Sequence, residues 1–133
     1  MKNLFLITAC VAWFAAGISC NNSDITEKEN IIGKWKLVKV VIPFINETSD
    51  YSQYEITYEF NKNGTLDVSG KNDHIEGYRG HEAGEYSYSI KKDEIGFRLT
   101  IDNLIYGYSI SSEKLEISNA HLDGCIYYFS KIY

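Results

Sequence analysis

The first predicted β-strand of this chain lies in Gly33-Lys34-Trp35-Lys36-Leu37-Val38-Lys39-Val40-Val41 and continues to Ile42. Apolar and basic residues are mixed on both of its alternating faces, so we expect a bulge or a strong bend inside it. The residues before this strand form an apolar leader and a polar tether, and those after it form short alternating segments. We expect these segments to close around Trp35, whose indole would seal one end.

The composition is typical of one small β-rich domain. The chain has 133 residues, 14% of them aromatic, and 11 of these aromatic residues are tyrosines. Tyr, Ile, Phe and Val favour strands, and the scarcity of Ala and Leu beyond the leader argues against a helical bundle. The formal net charge is -5 at pH 7. Because an acidic protein repels phosphate backbones, nucleic acid is not an expected partner.

Residues 1–19 have the pattern of a secretory signal peptide. Lys2 precedes an apolar run from Leu4 to Ile18, which at ~1.5 Å per residue is too short for a permanent transmembrane helix. Cys20 stands where the apolar run meets a polar segment, and this junction resembles a bacterial lipobox. The resemblance implies that Cys20 is acylated with fatty chains such as palmitate and becomes the first residue of the mature protein. Two such chains anchor a protein stably to a bilayer.

This reading divides the chain into a signal peptide at 1–19, a polar tether at 20–30 and a domain at 31–133. We expect a lipoprotein of a Gram-negative cell envelope, on the periplasmic or surface side, whose acylated Cys20 contacts the lipid bilayer. The alternative is an ordinary secretory signal cut near Ala16 or Ser19, with Cys20 a free thiol. If Cys10 leaves with the leader and Cys20 is acylated, Cys125 remains without a disulfide partner, and a single cysteine of this kind is expected to be a small buried hydrophobic residue.

The domain is predicted to contain eight strands separated by short polar turns. The segment Tyr54–Phe60 alternates cleanly, with its aromatic residues and Ile56 facing inward and Thr57 facing outward. Short turns join antiparallel neighbours, whereas parallel pairing needs long crossovers. Closure into a barrel removes both exposed edges. We therefore predict an all-β, eight-stranded antiparallel up-and-down barrel with strands at Gly33–Ile42, Tyr54–Phe60, Thr65–Ser69, Glu85–Lys91, Ile95–Ile101, Leu104–Ser111, Lys114–Ser118 and Cys125–Tyr133.

Several segments of the domain resemble small lipocalin-like bacterial lipoproteins. Gly33-Lys34-Trp35 is similar to the Gly-x-Trp signature of lipocalins, and the segments Phe60–Thr65, Tyr86–Ile90 and Tyr127–Lys131 follow the same pattern. The resemblance implies a lipocalin-like barrel that binds a small apolar or amphipathic molecule. It also implies that Trp35 closes one end against a basic residue of the last strand, for which Lys131 is the match.

Inward-facing aromatic residues are the candidate ligand-binding set. Aromatic rings with hydroxyl groups can orient an amphipathic ligand. The alternative is a packed barrel that serves as a protein-interaction or structural module of the cell envelope, because narrow barrels are often filled by side chains. The candidate residues are Trp35, Tyr54, Tyr58, Phe60, Tyr86, Tyr88, Phe97, Tyr106 and Tyr108.

The polar loop from Gly70 to Gly84 holds two histidines and several acidic residues, arranged as Asp73-His74-x-Glu76 and His81-Glu82. Histidine nitrogens and carboxylates can bind a metal ion, but these residues lack the fixed spacing of a metal site. The alternative to a metal site is a mobile acidic loop. His121 with Asp123 is a similarly weak pair. The chain has no nucleophile elbow, zinc-protease helix or phosphate loop. We expect a monomeric binding protein without a metal ion or cofactor, and not an enzyme.

Overall fold

The computed structural model describes residues 30–71, 74–119 and 124–133. The predicted signal peptide, most of the tether, Cys20, Asp73, His121 and Asp123 lie outside the described residues. Among the residues that are described, no helix has the length and apolar character needed to span a bilayer.

The described residues form one antiparallel sheet. Its strands are β1 (Gly33–Ile42), β2 (Glu47–Asp50), β3 (Thr57–Phe60), β4 (Thr65–Ser69), β5 (Gly84–Lys92), β6 (Phe97–Ile101), β7 (Leu104–Ile110), β8 (Lys114–Ser118) and β9 (Ile126–Ile132). From β3 to β9 each strand pairs with the next, β1 pairs with β3, and β9 pairs back with β1. Strands β1 and β3–β9 therefore close the predicted eight-stranded up-and-down barrel, to which β2 adds a short extra strand.

The expected bulge in β1 is present. The pairing of β1 with β9 shifts register between Leu37 and Lys39, so Val38 is the extra residue. Before the bulge Trp35 and Leu37 are buried, and after it Val40 is buried instead. The bulge moves the inward positions by one residue, which explains why both faces of this strand contain apolar residues in the sequence.

The second predicted strand differs from the structure in its first half. Regular pairing begins at Thr57, and Tyr54 lies in a turn whose backbone N–H donates to the carbonyl of Tyr51 at 2.9 Å. Thr57 was predicted to face outward but is 7% exposed, and its hydroxyl bonds the Ser69 hydroxyl at 2.6 Å. A hydroxyl pair that satisfies itself explains how a threonine can be buried here.

Residues 47–50 were predicted to be loop and instead form β2. A 3-10 turn at Pro43–Ile45 and the left-handed backbone of Asn46 return the chain alongside the end of β1. Strand β6 begins at Phe97 rather than Ile95. The backbone N–H groups of Ile95 and Gly96 donate to the Asp93 carboxylate, and this turn delays the start of the strand. In both places a local turn, which hydrophobic alternation does not report, sets the strand boundary.

One end of the barrel is sealed by Trp35. The indole is fully buried, and its Nε1–H donates to the carbonyl of Ile31 at 2.8 Å. The ammonium group of Lys131 on β9 lies 5.3 Å from the ring centroid. This contact is the one that the family resemblance implied. We call this end, at which β1 begins, the closed end.

The interior of the barrel is filled by apolar and aromatic side chains. Tyr58 packs edge-on against Phe129 with ring centroids 4.8 Å apart, and Phe60 packs edge-on against Tyr88 at 5.0 Å. Such edge-to-face pairs add stability beyond the area they bury. Cys125 is half-buried and packs against this core.

Candidate functional site

The mouth of the barrel is the end opposite Trp35, where β3, β5, β7 and β9 begin. Each of these four strands carries a tyrosine at its second or third position. Because antiparallel neighbours alternate in direction, tyrosines near the start of every other strand approach the same end of the barrel. We call this set the mouth tyrosines: Tyr58, Tyr86, Tyr106 and Tyr127.

Residues 74–83 lie over the mouth, and we call them the mouth loop. The Tyr86 hydroxyl donates to the carbonyl of Glu82 at 2.8 Å, and the Tyr127 hydroxyl donates to the carbonyl of Arg79 at 2.9 Å. Ile75 and Tyr78, both half-buried, pack against the core. The described part of this loop therefore has defined contacts with the barrel.

His81 lies among the mouth tyrosines. Its Nδ1 is 3.2 Å from the Tyr58 hydroxyl, and its Nε2 is 3.4 Å from the Tyr106 hydroxyl. Its backbone N–H donates to the Tyr58 hydroxyl at 2.9 Å, and its carbonyl accepts from the Tyr78 hydroxyl at 3.1 Å. In a neutral imidazole one nitrogen donates and the other accepts, and a phenol hydroxyl can take either role.

Aromatic contacts hold the imidazole from the sides. The centroid of the His81 ring lies 5.2 Å from that of Tyr86, with an angle of 70° between the ring planes. The centroid distance to Tyr58 is 5.7 Å, and the interplanar angle is 77°. The His81 ring meets Tyr106 at 6.0 Å with a tilt of 55°. The imidazole therefore lies in a slot whose walls are phenol rings and whose polar contacts are phenol hydroxyls.

A glycine allows the mouth loop to approach this closely. A Cβ atom on Gly80 would collide with the Tyr78 hydroxyl and lie 3.0 Å from the Tyr58 hydroxyl. Any larger residue at this position would displace the loop or the tyrosines beneath it. Gly80 thus explains how the backbone of His81 reaches hydrogen-bonding distance of Tyr58.

Burial changes the protonation behaviour of the site. It lowers the pKa of His81 below its ordinary value of 6.5, although the charge of nearby Asp102 acts in the opposite direction. Burial also raises the pKa of Tyr58 well above its ordinary range and raises the pKa of Tyr106. Loss of water around a group disfavours its charged form, so these rings are neutral near pH 7.

A concave pocket lies beside the imidazole. Its volume is about 240 Å³, and it combines an exposed apolar side chain with polar groups. Ligand sites generally combine apolar walls with a few convergent polar groups. The lining residues are Arg79, Gly80, His81, Leu104, Tyr106, Asn119 and Tyr127.

The structure brings together three of the predicted ligand-binding residues, Tyr58, Tyr86 and Tyr106, around His81. The other predicted residues are distributed elsewhere. Trp35 is at the closed end, while Phe60 and Tyr88 are in the core. Tyr108 and Tyr54 pack at the edge of the core. The ammonium group of Lys92 lies 5.5 Å from the ring centroid of Phe97.

Two residues of this site, His81 and Tyr127, are not among the predicted ligand-binding residues. Apolar and aromatic residues stand at both alternating positions of the last strand, so the pattern does not predict which way Tyr127 faces. His81 was grouped with the acidic residues of its loop as a possible metal ligand. Within 30–71, 74–119 and 124–133, no group of three or more His, Cys, Asp or Glu side chains could hold a metal ion. The sequence pattern that could have indicated this site is a tyrosine near the start of every other strand.

A closed eight-stranded antiparallel barrel, sealed at one end by a buried tryptophan and covered at the other by a loop, places the chain in the class of small lipocalin-like β-barrels. The family model of the lipocalin-like domain matches residues 31–123. The match covers more than half of the chain, and the chain therefore belongs to the lipocalin-like domain family. Comparison with curated proteins and with solved structures gives no match.

Proposed function

We propose that this protein is a lipid-anchored, lipocalin-like lipoprotein of the Gram-negative cell envelope that binds a small amphipathic molecule at the barrel mouth. One observation carries the proposal of ligand binding: the hydroxyls of the mouth tyrosines converge at one end of a lipocalin-like barrel. Hydroxyl groups on aromatic walls suit a ligand that has both an apolar body and polar groups. The proposed activity is binding rather than catalysis.

The ligand is proposed to lie at the mouth and not deep in the barrel. The interior beneath Tyr58 is occupied by Phe129 and by other core side chains. The pocket of about 240 Å³ beside His81 is smaller than the ~300–1,000 Å³ of common ligand sites. A larger ligand would therefore need the mouth loop to move outward.

The anchor is proposed to be the acylated Cys20, with the bilayer as the partner. The described chain begins next to the closed end, where Ile31 contacts the indole of Trp35. A tether that leaves from this end would hold the closed end toward the bilayer and turn the mouth away from it. This orientation would keep the mouth accessible to a diffusing ligand.

The second candidate function is a packed barrel that acts as a protein-interaction or structural module of the envelope. The filled interior favours it, and so do two apolar side chains at the β1–β2 turn, Phe44 and Ile45, which are 79% and 53% exposed. An outer groove of 520 Å³ that includes Val38, Lys39 and Tyr128 offers a further surface.

Native mass spectrometry of protein purified from its own host tests ligand binding. We expect a bound species with the mass of a small amphipathic molecule, which should dissociate when the barrel unfolds. A spectrum that contains only bare protein, from several growth conditions, would favour the interaction module instead.

Substitution of Cys20 by Ser tests the anchor. The variant should move from the membrane fraction to the soluble fraction, because the thiol that carries the acyl chains is gone. Cys125→Ser is the matched control and should remain with the membrane. A Cys20→Ser protein that sediments with membranes as the wild type does would exclude lipidation at this residue.

A further inference from the structure

His81 occupies the barrel mouth in the way that a small ligand occupies a site. Its two ring nitrogens face the hydroxyls of Tyr58 and Tyr106, and its sides meet the rings of Tyr58 and Tyr86. We propose that the mouth recognises a neutral, planar heteroaromatic ring with one donor and one acceptor ring nitrogen spaced as in imidazole, and that His81 is an internal stand-in which this ligand displaces. The inference rests on the proposed function and specifies its ligand.

The shape of the slot favours a flat ring. The walls meet the imidazole edge-to-face at 70° and 77°, an arrangement that uses the negative face of one ring and the positive edge of another. A saturated chain or ring has no such charge distribution and would fill the slot without these contacts. The preference for an aromatic ligand therefore follows from the geometry of the walls.

The polar groups favour a ring that is neutral. The hydroxyls of Tyr58 and Tyr106 can each donate or accept a hydrogen bond, so they suit a ring with one donor and one acceptor. Three charged residues of this end of the barrel, Asp102, Glu82 and Arg79, are exposed. Burial disfavours a charge at this position, as the lowered pKa of His81 indicates.

The mouth loop has the features of a displaceable element. Its described residues form no helix or strand, and most of them are exposed. Hydroxyl groups donate to its backbone carbonyls at Arg79, His81 and Glu82. Segments held by a few partly exposed hydrogen bonds open at low cost compared with the core.

Isothermal titration of the full chain in detergent tests the inference, with benzimidazole as the planar probe and octanoate as the saturated probe. In the wild type the imidazole competes for the slot, which reduces the apparent affinity. We expect the affinity of His81→Ala for benzimidazole to be at least about tenfold higher than that of the wild type. Octanoate should show no comparable gain. An equal gain for octanoate, or no gain for benzimidazole, would overturn the inference.

Two further variants keep the test decisive if His81→Ala fails to fold. Tyr78→Phe removes the hydroxyl that donates to the His81 carbonyl and that also bonds the Tyr58 side chain. The phenol rings that line the slot are retained, so benzimidazole should bind more tightly than to the wild type. Tyr106→Phe should bind it about three- to tenfold more weakly, because the ligand loses a full hydrogen bond whereas His81 loses only the long contact of 3.4 Å. Tyr88→Phe, whose hydroxyl bonds the Asn61 carbonyl instead, should leave benzimidazole binding unchanged. A Tyr106→Phe protein that binds as tightly as Tyr88→Phe contradicts the proposed recognition.

The outcomes separate this inference from the proposed function. A saturated lipid co-purifying from the host would support ligand binding and overturn the heteroaromatic ligand. A planar heteroaromatic compound co-purifying with the protein would support both. Bare protein that also fails to bind benzimidazole in every variant would contradict both.

Discussion

Trp35 and Tyr58 lie directly opposite each other in the ladder between β1 and β3. Nevertheless, their polar atoms reach opposite ends of the barrel. The indole Nε1 bonds the Ile31 carbonyl at the closed end, and the phenol hydroxyl of Tyr58 contacts His81 at the mouth. One cross-strand pair therefore spans the interior, which explains why so short a barrel has a filled centre.

Trp35→Phe should destabilise the barrel by about 2–4 kcal/mol, because it leaves a cavity and a buried carbonyl without its donor. Urea unfolding measures the change in the free energy of unfolding. Tyr133→Ala, at a residue that is 91% exposed, should change that free energy by less than about 0.5 kcal/mol. Equal effects of the two substitutions would mean that Trp35 is not the seal of the closed end.

Lys131→Met should lower the free energy of unfolding by about 0.5–1 kcal/mol, because the ammonium group over the indole is lost while the aliphatic stem is retained. Lys131→Arg should keep most of the stability, since a guanidinium group also stacks on an indole. The same urea titrations distinguish them. If the arginine variant is as unstable as the methionine variant, the cation–ring contact contributes little.

His81 should make stability depend on pH. Because burial lowers its pKa below 6.5 in the folded state, the unfolded chain binds the proton first. The free energy of unfolding should therefore fall as the pH falls from about 6.5 toward the folded-state pKa of His81, and it should be independent of His81 above about pH 7.5. Thermal unfolding from pH 8 to pH 5 measures this dependence.

His81→Gln should flatten the pH dependence, whereas His74→Gln should preserve it, because His74 is exposed on the same loop. An unchanged slope in His81→Gln would show that another group titrates, and the assignment of a partly buried, neutral imidazole to His81 would then be wrong.

Gly64→Ala should cost about 1–2 kcal/mol of stability. Gly64 closes the β3–β4 turn with a φ of +88°, a conformation that is unfavourable for residues with a Cβ atom. Gly107→Ala is the matched control, because a Cβ there would meet only the Ser118 carbonyl oxygen at 3.8 Å, an ordinary contact. The prediction fails if the two variants unfold at the same urea concentration.

Tyr127→Phe should accelerate amide hydrogen exchange in residues 74–83 by about two- to tenfold, because the bond to the Arg79 carbonyl is lost. Exchange in β8 should be unchanged. Tyr88→Phe, which removes a hydroxyl bonded to Asn61, should leave the mouth loop at the wild-type rate. Similar rates in the loop for both variants would mean that Tyr127 does not hold it.

Much of the barrel could be predicted from local patterns. Strand β1 begins and ends where the sequence indicated, the bulge at Val38 was expected from its mixed faces, and Gly64 closes the predicted turn. Strand ends next to irregular turns were less predictable. Tyr54 and Ile95 continue an alternating pattern, but side-chain and backbone hydrogen bonds hold them in turns.

Hydrophobic alternation at a period of two and short polar turns are local properties, so the sequence was sufficient to predict strands, antiparallel pairing and the inward direction of Tyr58, Tyr86 and Tyr106. Which inward side chains meet is a non-local property, because it depends on how β9 closes against β1 and on where the mouth loop crosses the opening. The position of His81 among the mouth tyrosines therefore required the folded barrel. Residues far apart in the chain become neighbours only after the strands have closed.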